Sequence, residues 1–120
     1  MKKILIVEDV EWNRDLLVQI LEENFEVIEA EDGKKGLEAA MAEQPDLILM
    51  DMLLPKMNGW EVAAEIRKRE TGKPVPIIAV TAQAMDGDET VALEAGCDAY
   101  VSKPIDEDEL LEKIALLIGT

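Results

Sequence analysis

The stretch from Pro45 to Gly59 reads PDLILMDMLLPKMNG, and it decides the fold of this 120-residue chain. Its run Leu47–Met50 is apolar without alternation, which is typical of a strand buried on both faces in a parallel sheet. Asp51 follows directly, and Pro55 then interrupts regular structure. Taken alone, the stretch also allows Asp51 to cap the next helix or to begin a turn. Either way, the sequence places a carboxylate where a core strand emerges into a loop.

Outward from this strand, apolar runs and helical spacing predict an alternation of strands and helices. The predicted strands are Ile4–Val7, Phe25–Ala30, Leu47–Met50, Pro76–Val80 and Asp98–Val101, and only Phe25–Ala30 alternates enough to indicate a sheet edge. Five helices are predicted. The first begins at Trp12, the next three run over Lys34–Glu43, Gly59–Arg69 and Glu89–Ala95, and the fifth follows a cap at Asp106. Alternation over short connections is typical of a doubly wound α/β domain. We therefore expect residues 1–120 to form one domain, with a five-stranded parallel sheet and five helices.

The helical spacing also predicts which side chains face the sheet. The first helix has an apolar stripe, and the third has a shorter one. The two tryptophans begin these helices near the carboxyl ends of the strands, and we interpret them as packing or lid residues. The residues concerned are Leu16, Leu17, Ile20 and Leu21 in the first helix, Trp60, Ala63 and Ile66 in the third, and Trp12 at the start of the first.

Composition limits the partners and the compartment. The 27 acidic and 12 basic residues give a net charge of -15, which disfavours direct binding to nucleic acid or to an anionic membrane. Cys97 is the one cysteine, so no internal disulfide can form, and a cytoplasmic location is expected. The chain has no histidine to act as base for a cysteine nucleophile, so Cys97 is expected to be a small buried thiol.

Polar residues follow four of the predicted strands at their carboxyl ends, where doubly wound sheets carry their sites. They are Glu8 and Asp9, Asp51, Thr81 and Lys103. Clustered carboxylates repel one another, and Mg²⁺ relieves that repulsion while binding oxygen ligands and phosphate oxygens. A hydroxyl and an ammonium add partners for an anion. Glycine-rich phosphate loops are missing from the sequence, so the inventory favours a phosphoryl group with an aspartate as acceptor.

These residues resemble the receiver domain of two-component response regulators over the whole chain. The resemblance rests on Glu8-Asp9, Asp51 with Leu54-Pro55 and Gly59, Thr81-Ala82, and Tyr100 before Lys103-Pro104. It implies a flavodoxin-like sheet with the strand order 2-1-3-4-5. The resemblance is greatest to the stand-alone regulators that act by protein contact in cell-cycle and phosphorelay circuits.

The resemblance also implies a role for each site residue. Asp51 would accept a phosphoryl group in a Mg²⁺-dependent reaction, and Lys103 would pair with the phosphoryl oxygens. Asp9 and Asp51 would ligate Mg²⁺ directly, Glu8 directly or through water, and the backbone carbonyl of Leu53 would complete the protein ligands.

Two further residues would form the switch. Thr81 would hydrogen-bond a phosphoryl oxygen, and Tyr100 would rotate inward, changing the surface of the fourth helix, fifth strand and fifth helix. A cis peptide before Pro104 would fix Lys103. The implied partners are a sensor histidine kinase or histidine phosphotransfer protein and a downstream protein. The implied assembly is a monomer or a phosphorylation-dependent dimer, and the protein would be a signalling phosphoacceptor rather than an enzyme.

Three alternatives remain open on the sequence. A receiver-like binding module could signal without phosphorylation, although the full acidic set and Lys103 argue against it. Phosphatases with an aspartate nucleophile usually carry a second aspartate two residues later, where this chain has Leu53. A flavodoxin-like carrier would bind flavin. Leu53 also suggests a long-lived phosphorylated form, because many relatives carry there a polar side chain that orients water.

Overall fold

The computed structural model describes residues 1–70, 72–81 and 96–119. Five strands and four helices are seen in these ranges. In chain order they are β1 (Lys3–Val7), α1 (Glu11–Leu21), β2 (Glu26–Ala30), α2 (Gly33–Glu43), β3 (Leu47–Asp51), α3 (Gly59–Arg69), β4 (Ile77–Thr81), β5 (Ala99–Ser102) and α4 (Glu107–Ile118). Helix α4 is the fifth helix predicted from the sequence. The predicted helix Glu89–Ala95 lies outside the described residues.

The strands form a single parallel sheet in the order β2-β1-β3-β4-β5, which confirms the predicted topology. Strand β2 lies at an edge, as its partial alternation predicted. The in-register pairs Val7 with Met50, and Asp51 with Val80, bring the ends of β1, β3 and β4 to one level. Because all strands run the same way, their carboxyl ends share one edge of the sheet.

Two apolar layers cover the sheet, one on each face. Leu5 and Val7 of β1 face the cluster that contains the buried residues of α2 and α3, while Ile4 and Ile6 face the cluster of α1 and α4. Successive strand residues point to opposite faces, so a strand covered on both sides must be apolar at every position. This explains the unalternating runs in β1, β3 and β4.

Helix faces differ in part from the predicted stripes. Leu17 and Leu21, four residues apart, are buried, whereas Leu16 is 39% exposed, so its predicted place on the sheet-facing stripe is wrong. Trp12 is 74% exposed, so the interpretation of Trp12 as a packing residue is wrong. Trp60 is half-buried and packs against the core, as expected.

Several helices and strands begin one residue away from their predicted starts. Asp32 caps α2 by accepting a hydrogen bond from the backbone N–H of Lys35 at 2.8 Å. Asp106 caps α4 in the same way, as predicted.

Among the described helices, none has both the length and the apolar content needed to cross a membrane.

Candidate functional site

The polar residues predicted at the strand ends meet at the carboxyl edge of the sheet. Asp51 and Thr81 are the last residues of β3 and β4, Glu8 follows β1, and Lys103 follows β5. The strands bring together residues up to 95 positions apart in the chain, since Glu8 and Lys103 are in direct contact. Glu8, Asp51 and Thr81 are all buried, and burial is unusual for the two carboxylates unless they are paired.

Lys103 joins the two buried carboxylates. Its Nζ atom lies 2.7 Å from Glu8 Oε1 and 3.0 Å from Asp51 Oδ2, and donates a hydrogen bond to each. The ammonium side chain is itself only 19% exposed. The peptide bond between Lys103 and Pro104 is cis, as the family resemblance implied. The positive charge of Lys103 is therefore shared between the carboxylates of Glu8, after β1, and Asp51, at the end of β3.

Burial and charge oppose each other at this contact. Burial raises the pKa of Glu8 above its ordinary value, the hydrogen bond from Lys103 acts against that rise, and the negative charge of Asp51 adds to it. Burial would lower the pKa of Lys103, but its hydrogen bonds to Glu8 and Asp51 outweigh burial and raise that pKa. The ammonium is thus held in its charged form, while Glu8 is harder to ionise than a free glutamate.

Asp9 completes a cluster of acidic oxygens that fits a metal ion. One carboxylate oxygen from each of Glu8, Asp9 and Asp51 lies within 4.8 Å of the other two, and Asp9 is exposed to solvent. Oxygen ligands of this kind, with room for water, suit Mg²⁺. The donor set therefore fits the cation that the sequence predicted.

Backbone amides hold the remaining carboxylate oxygens. Glu8 Oε2 accepts a hydrogen bond from the N–H of Val10 at 3.2 Å, and Asp51 Oδ1 accepts one from the N–H of Leu53 at 2.9 Å. The side chain of Leu53 is 51% exposed. The cap of the next helix, α3, is Asn58, so the interpretation of Asp51 as a helix cap is wrong. The hydrogen bond from Leu53 is the kind by which an aspartate begins a turn, so Asp51 has that structural role as well.

The two predicted switch residues lie on β4 and β5. Thr81 is buried at the end of β4, and its backbone oxygen accepts a hydrogen bond from the N–H of Lys103 at 2.8 Å. Tyr100 is half-buried on β5, opposite Ala79 of β4, and packs against the core. Both therefore lie on the strands next to the acidic cluster.

Cys97 lies apart from this chemistry. It is buried, and that burial raises its pKa to about 11. A thiol with such a pKa is protonated at neutral pH, in agreement with the prediction of an inert residue.

Arg14 is a supporting residue that sequence reasoning missed. Its Nη1 atom donates to the backbone oxygen of Glu8 at 3.0 Å, and its Nε atom lies 3.4 Å from Glu29 Oε1. The arginine thus ties the turn after β1 to the edge strand β2. Helical periodicity puts Arg14 on the polar face of α1, and no local signal in the sequence distinguishes it from a solvated arginine.

Comparisons with known proteins agree with this geometry. Residues 4–115 match the response regulator receiver domain family. The polar-differentiation response regulator DivK of Brucella ovis is 41% identical over 119 residues, which are 98% of this chain and 97% of that protein.

Two solved structures with a TM-score of 0.90 have the same fold. One is the receiver domain of the sensor histidine kinase PA1611 from Pseudomonas aeruginosa PAO1, with a magnesium ion coordinated in its active site cleft; it is 37% identical, and the match covers 99% of this chain and 98% of that one. The other is the receiver domain of the Saccharomyces cerevisiae response regulator Ssk1, co-crystallised with the histidine phosphotransfer protein Ypd1; it is 31% identical, with 98% and 88% covered. The acidic cluster fits a phosphoacceptor site, and the chain belongs to the response regulator receiver domain family.

Proposed function

We propose that this protein is a phosphoacceptor response regulator in which Asp51 receives a phosphoryl group from a phosphohistidine of a partner protein. The observation that carries the proposal is the Lys103 ammonium, held 3.0 Å from Asp51 Oδ2 beside an acidic cluster. The chain has no histidine and so is not itself the phosphohistidine donor. In the transfer, an Asp51 oxygen forms a bond to phosphorus as the N–P bond breaks and returns its electron pair to the imidazole.

Asp9, Asp51, Glu8 and the backbone carbonyl of Leu53 would hold Mg²⁺, with Glu8 binding directly or through water. When bound, the cation supplies positive charge that offsets the carboxylates and the phosphoryl oxygens. The donor set supports this assignment, since three carboxylate oxygens converge within 4.8 Å and one of the residues is open to solvent.

The chain's own groups position the acceptor. The N–H of Leu53 holds Asp51 Oδ1, and Lys103 holds Oδ2, so the carboxylate has a fixed orientation before any donor arrives. Lys103 then pairs with the phosphoryl oxygens, which develop negative charge during transfer. Its raised pKa keeps it charged for that task.

Thr81 and Tyr100 would carry the signal away from the site. The Thr81 hydroxyl would hydrogen-bond a phosphoryl oxygen, and Tyr100 would turn inward on β5. This movement would change the surface formed by the predicted helix Glu89–Ala95, β5 and α4. A downstream protein would read that surface, and the protein would be a monomer or a phosphorylation-dependent dimer.

The donor would be a sensor histidine kinase or a histidine phosphotransfer protein, and the co-crystal of Ypd1 with the Ssk1 receiver domain supports the second kind. The net charge of -15 disfavours nucleic acid and membrane surfaces as direct partners. We expect the protein in the cytoplasm, catalysing only its own phosphorylation and dephosphorylation.

Labelling with acetyl phosphate tests the acceptor directly. With Mg²⁺, the parent should gain a phosphoryl group, detected by intact mass and by a gel that retards phosphoproteins, and Asp51→Asn should not. Asp15→Asn is the matched control, because Asp15 is an exposed carboxylate on α1. EDTA should abolish labelling in both the parent and the control.

The same experiment separates the alternative of a receiver-like module that signals without phosphorylation. Such a module would show no Mg²⁺-dependent labelling of the parent. Equal labelling of Asp51→Asn and the parent would place the phosphoryl group elsewhere and reject Asp51 as the acceptor.

A further inference from the structure

The loop that follows Asp51 is docked against the start of α2. This loop, residues 52–58, is fixed at its base by the N–H of Gly59, which donates to the Met52 carbonyl at 3.0 Å. Between these ends the chain bends sharply, because Lys56 has a positive φ of 68° and the Met57 N–H donates to the Pro55 carbonyl at 2.7 Å. The outer part of the loop thus depends on other contacts for its position.

Gly33, the first residue of α2, provides one of those contacts. Its N–H donates to the Pro55 carbonyl at 3.4 Å. A Cβ atom added at Gly33 would lie 1.6 Å from the Met57 carbonyl oxygen and 2.6 Å from its carbon. Since both are backbone atoms, no side-chain rotation could relieve the overlap, and only glycine allows the loop to approach α2 so closely.

Asp32 provides a second contact with the same part of the loop. Its Oδ1 atom caps α2, while Oδ2 lies 3.6 Å from Lys56 Nζ. Asp32 is 4% exposed, so one side of this ion pair is fixed within the protein. The charge pair and the close approach at Gly33 therefore act on adjacent loop residues.

Leu53, whose N–H orients Asp51 Oδ1, lies two residues before Pro55 in the same loop. We propose that Gly33 and Asp32 are positioning residues that set the conformation of the loop carrying Leu53, and through it the affinity of the acidic site for a divalent cation. The part of this inference that concerns the cation rests on the proposed function. The part that concerns the loop rests on the contacts alone.

Gly33→Ala tests the contact, with Ala42→Val as its matched control. Both changes add apolar volume to α2, but Ala42 is exposed near the other end of that helix, away from the loop. Gly36→Ala is less suitable, because its Cβ would lie 2.7 Å from the buried side chain of Val7, directly before Glu8.

Mg²⁺ binding is measured by isothermal titration calorimetry, and the Leu53 and Met57 amide resonances are recorded without metal. Groups that orient metal ligands typically change affinity by about 10–100-fold, so we expect Gly33→Ala to weaken Mg²⁺ about tenfold and Ala42→Val no more than about twofold.

Two double variants, each of which leaves the net charge unchanged, test the ion pair between Asp32 and Lys56. Asp32→Asn with Lys56→Met keeps a capping side chain and the net charge but removes the ion pair to the loop. Glu31→Gln with Lys35→Met removes the neighbouring ion pair, which lies on the surface at the start of α2. Because a half-exposed pair is worth little, we expect about threefold weaker Mg²⁺ binding in the first double variant and no change in the second.

Each result has a defined meaning. Gly33→Ala with parental Mg²⁺ affinity and an unmoved Leu53 amide overturns the inference and leaves the proposed function standing. A parent that binds no Mg²⁺, with the Leu53 amide still displaced in Gly33→Ala, overturns the proposed function and leaves the loop contact standing. If Gly33→Ala does not fold, the double variants decide, and equal Mg²⁺ affinity in the two overturns the inference.

Discussion

Replacing Lys103 by methionine measures how strongly the acidic site depends on its ammonium. The side chains of Glu8 and Asp51 are 2% and 8% exposed, and Lys103 lies between them. Methionine keeps most of the apolar stem but leaves two buried carboxylates facing each other. Removing one partner of a buried ion pair costs about 3–5 kcal/mol, and since Lys103 is partly exposed we expect about 3 kcal/mol at pH 7 without metal.

This loss of stability should shrink at lower pH, because Glu8 can then bind a proton. Burial already raises the pKa of Glu8 in the parent, and the hydrogen bond from Lys103 opposes that rise. Loss of that hydrogen bond in Lys103→Met therefore raises the pKa of Glu8 further. A carboxyl whose pKa is higher in the folded state binds more protons folded than unfolded, so stability falls as pH rises from the ordinary value of 4.5 through the folded pKa. The variant should therefore differ from the parent more at pH 7 than at pH 5.

Urea unfolding in EDTA, followed by tryptophan fluorescence at pH 7 and pH 5, gives both numbers. Lys68→Met is the matched control, because Lys68 is 75% exposed and lies 3.8 Å from Glu65; its effect should stay within about 0.5 kcal/mol. Adding Mg²⁺ should restore more stability to Lys103→Met than it adds to the parent. A loss below about 1 kcal/mol, the scale of a surface pair, or an equal loss at both pH values would refute the reasoning.

Two further predictions concern a group beside the site and one far from it. Leu53→Asn should speed phosphate release from phosphorylated Asp51 by about tenfold, because an amide can orient the attacking water; release is followed as inorganic phosphate, and equal rates would reject the idea. Cys97 is buried with a pKa of about 11, so a thiol reagent at pH 8 should label the native protein about 100-fold more slowly than the urea-unfolded chain. Rapid labelling of the folded protein would contradict its burial.

The sheet and most of the site could be predicted because they depend on short-range patterns. An unalternating apolar run such as Leu47–Met50 requires helices on both faces, and parallel strands then bring their carboxyl ends to one edge. Glu8, Asp51 and Lys103 were therefore expected to lie together without any knowledge of the distances. Strand order came from the family resemblance, since apolar pattern alone does not fix which strands are neighbours.

Contacts between distant elements could not be predicted in this way. Arg67 of α3 donates to the Gly96 carbonyl at 2.7 Å and to Asp98 at 2.8 Å, and its Nη1 atom donates to the Val75 carbonyl at 2.8 Å. In the sequence it is one of three basic residues that end a helix, and nothing distinguishes it from its neighbours. The docking of Gly33 on the loop after Asp51 could not be predicted for the same reason, because the pair Asp32-Gly33 has a sufficient local explanation as a turn.

Charge balance explains why this site should bind a cation before a phosphoryl group. Glu8, Asp9 and Asp51 bring three negative charges within 4.8 Å, and Lys103 supplies a single positive charge shared between two of them. The remaining excess repels an incoming phosphoryl group, and each such repulsion is about 4 kcal/mol at 4 Å with the effective dielectric near a protein surface. A divalent cation offsets the two unpaired charges, whereas a second lysine would offset only one. In the proposed function, the acidic excess that destabilises the metal-free site is thus the property that would make phosphoryl transfer to Asp51 depend on Mg²⁺.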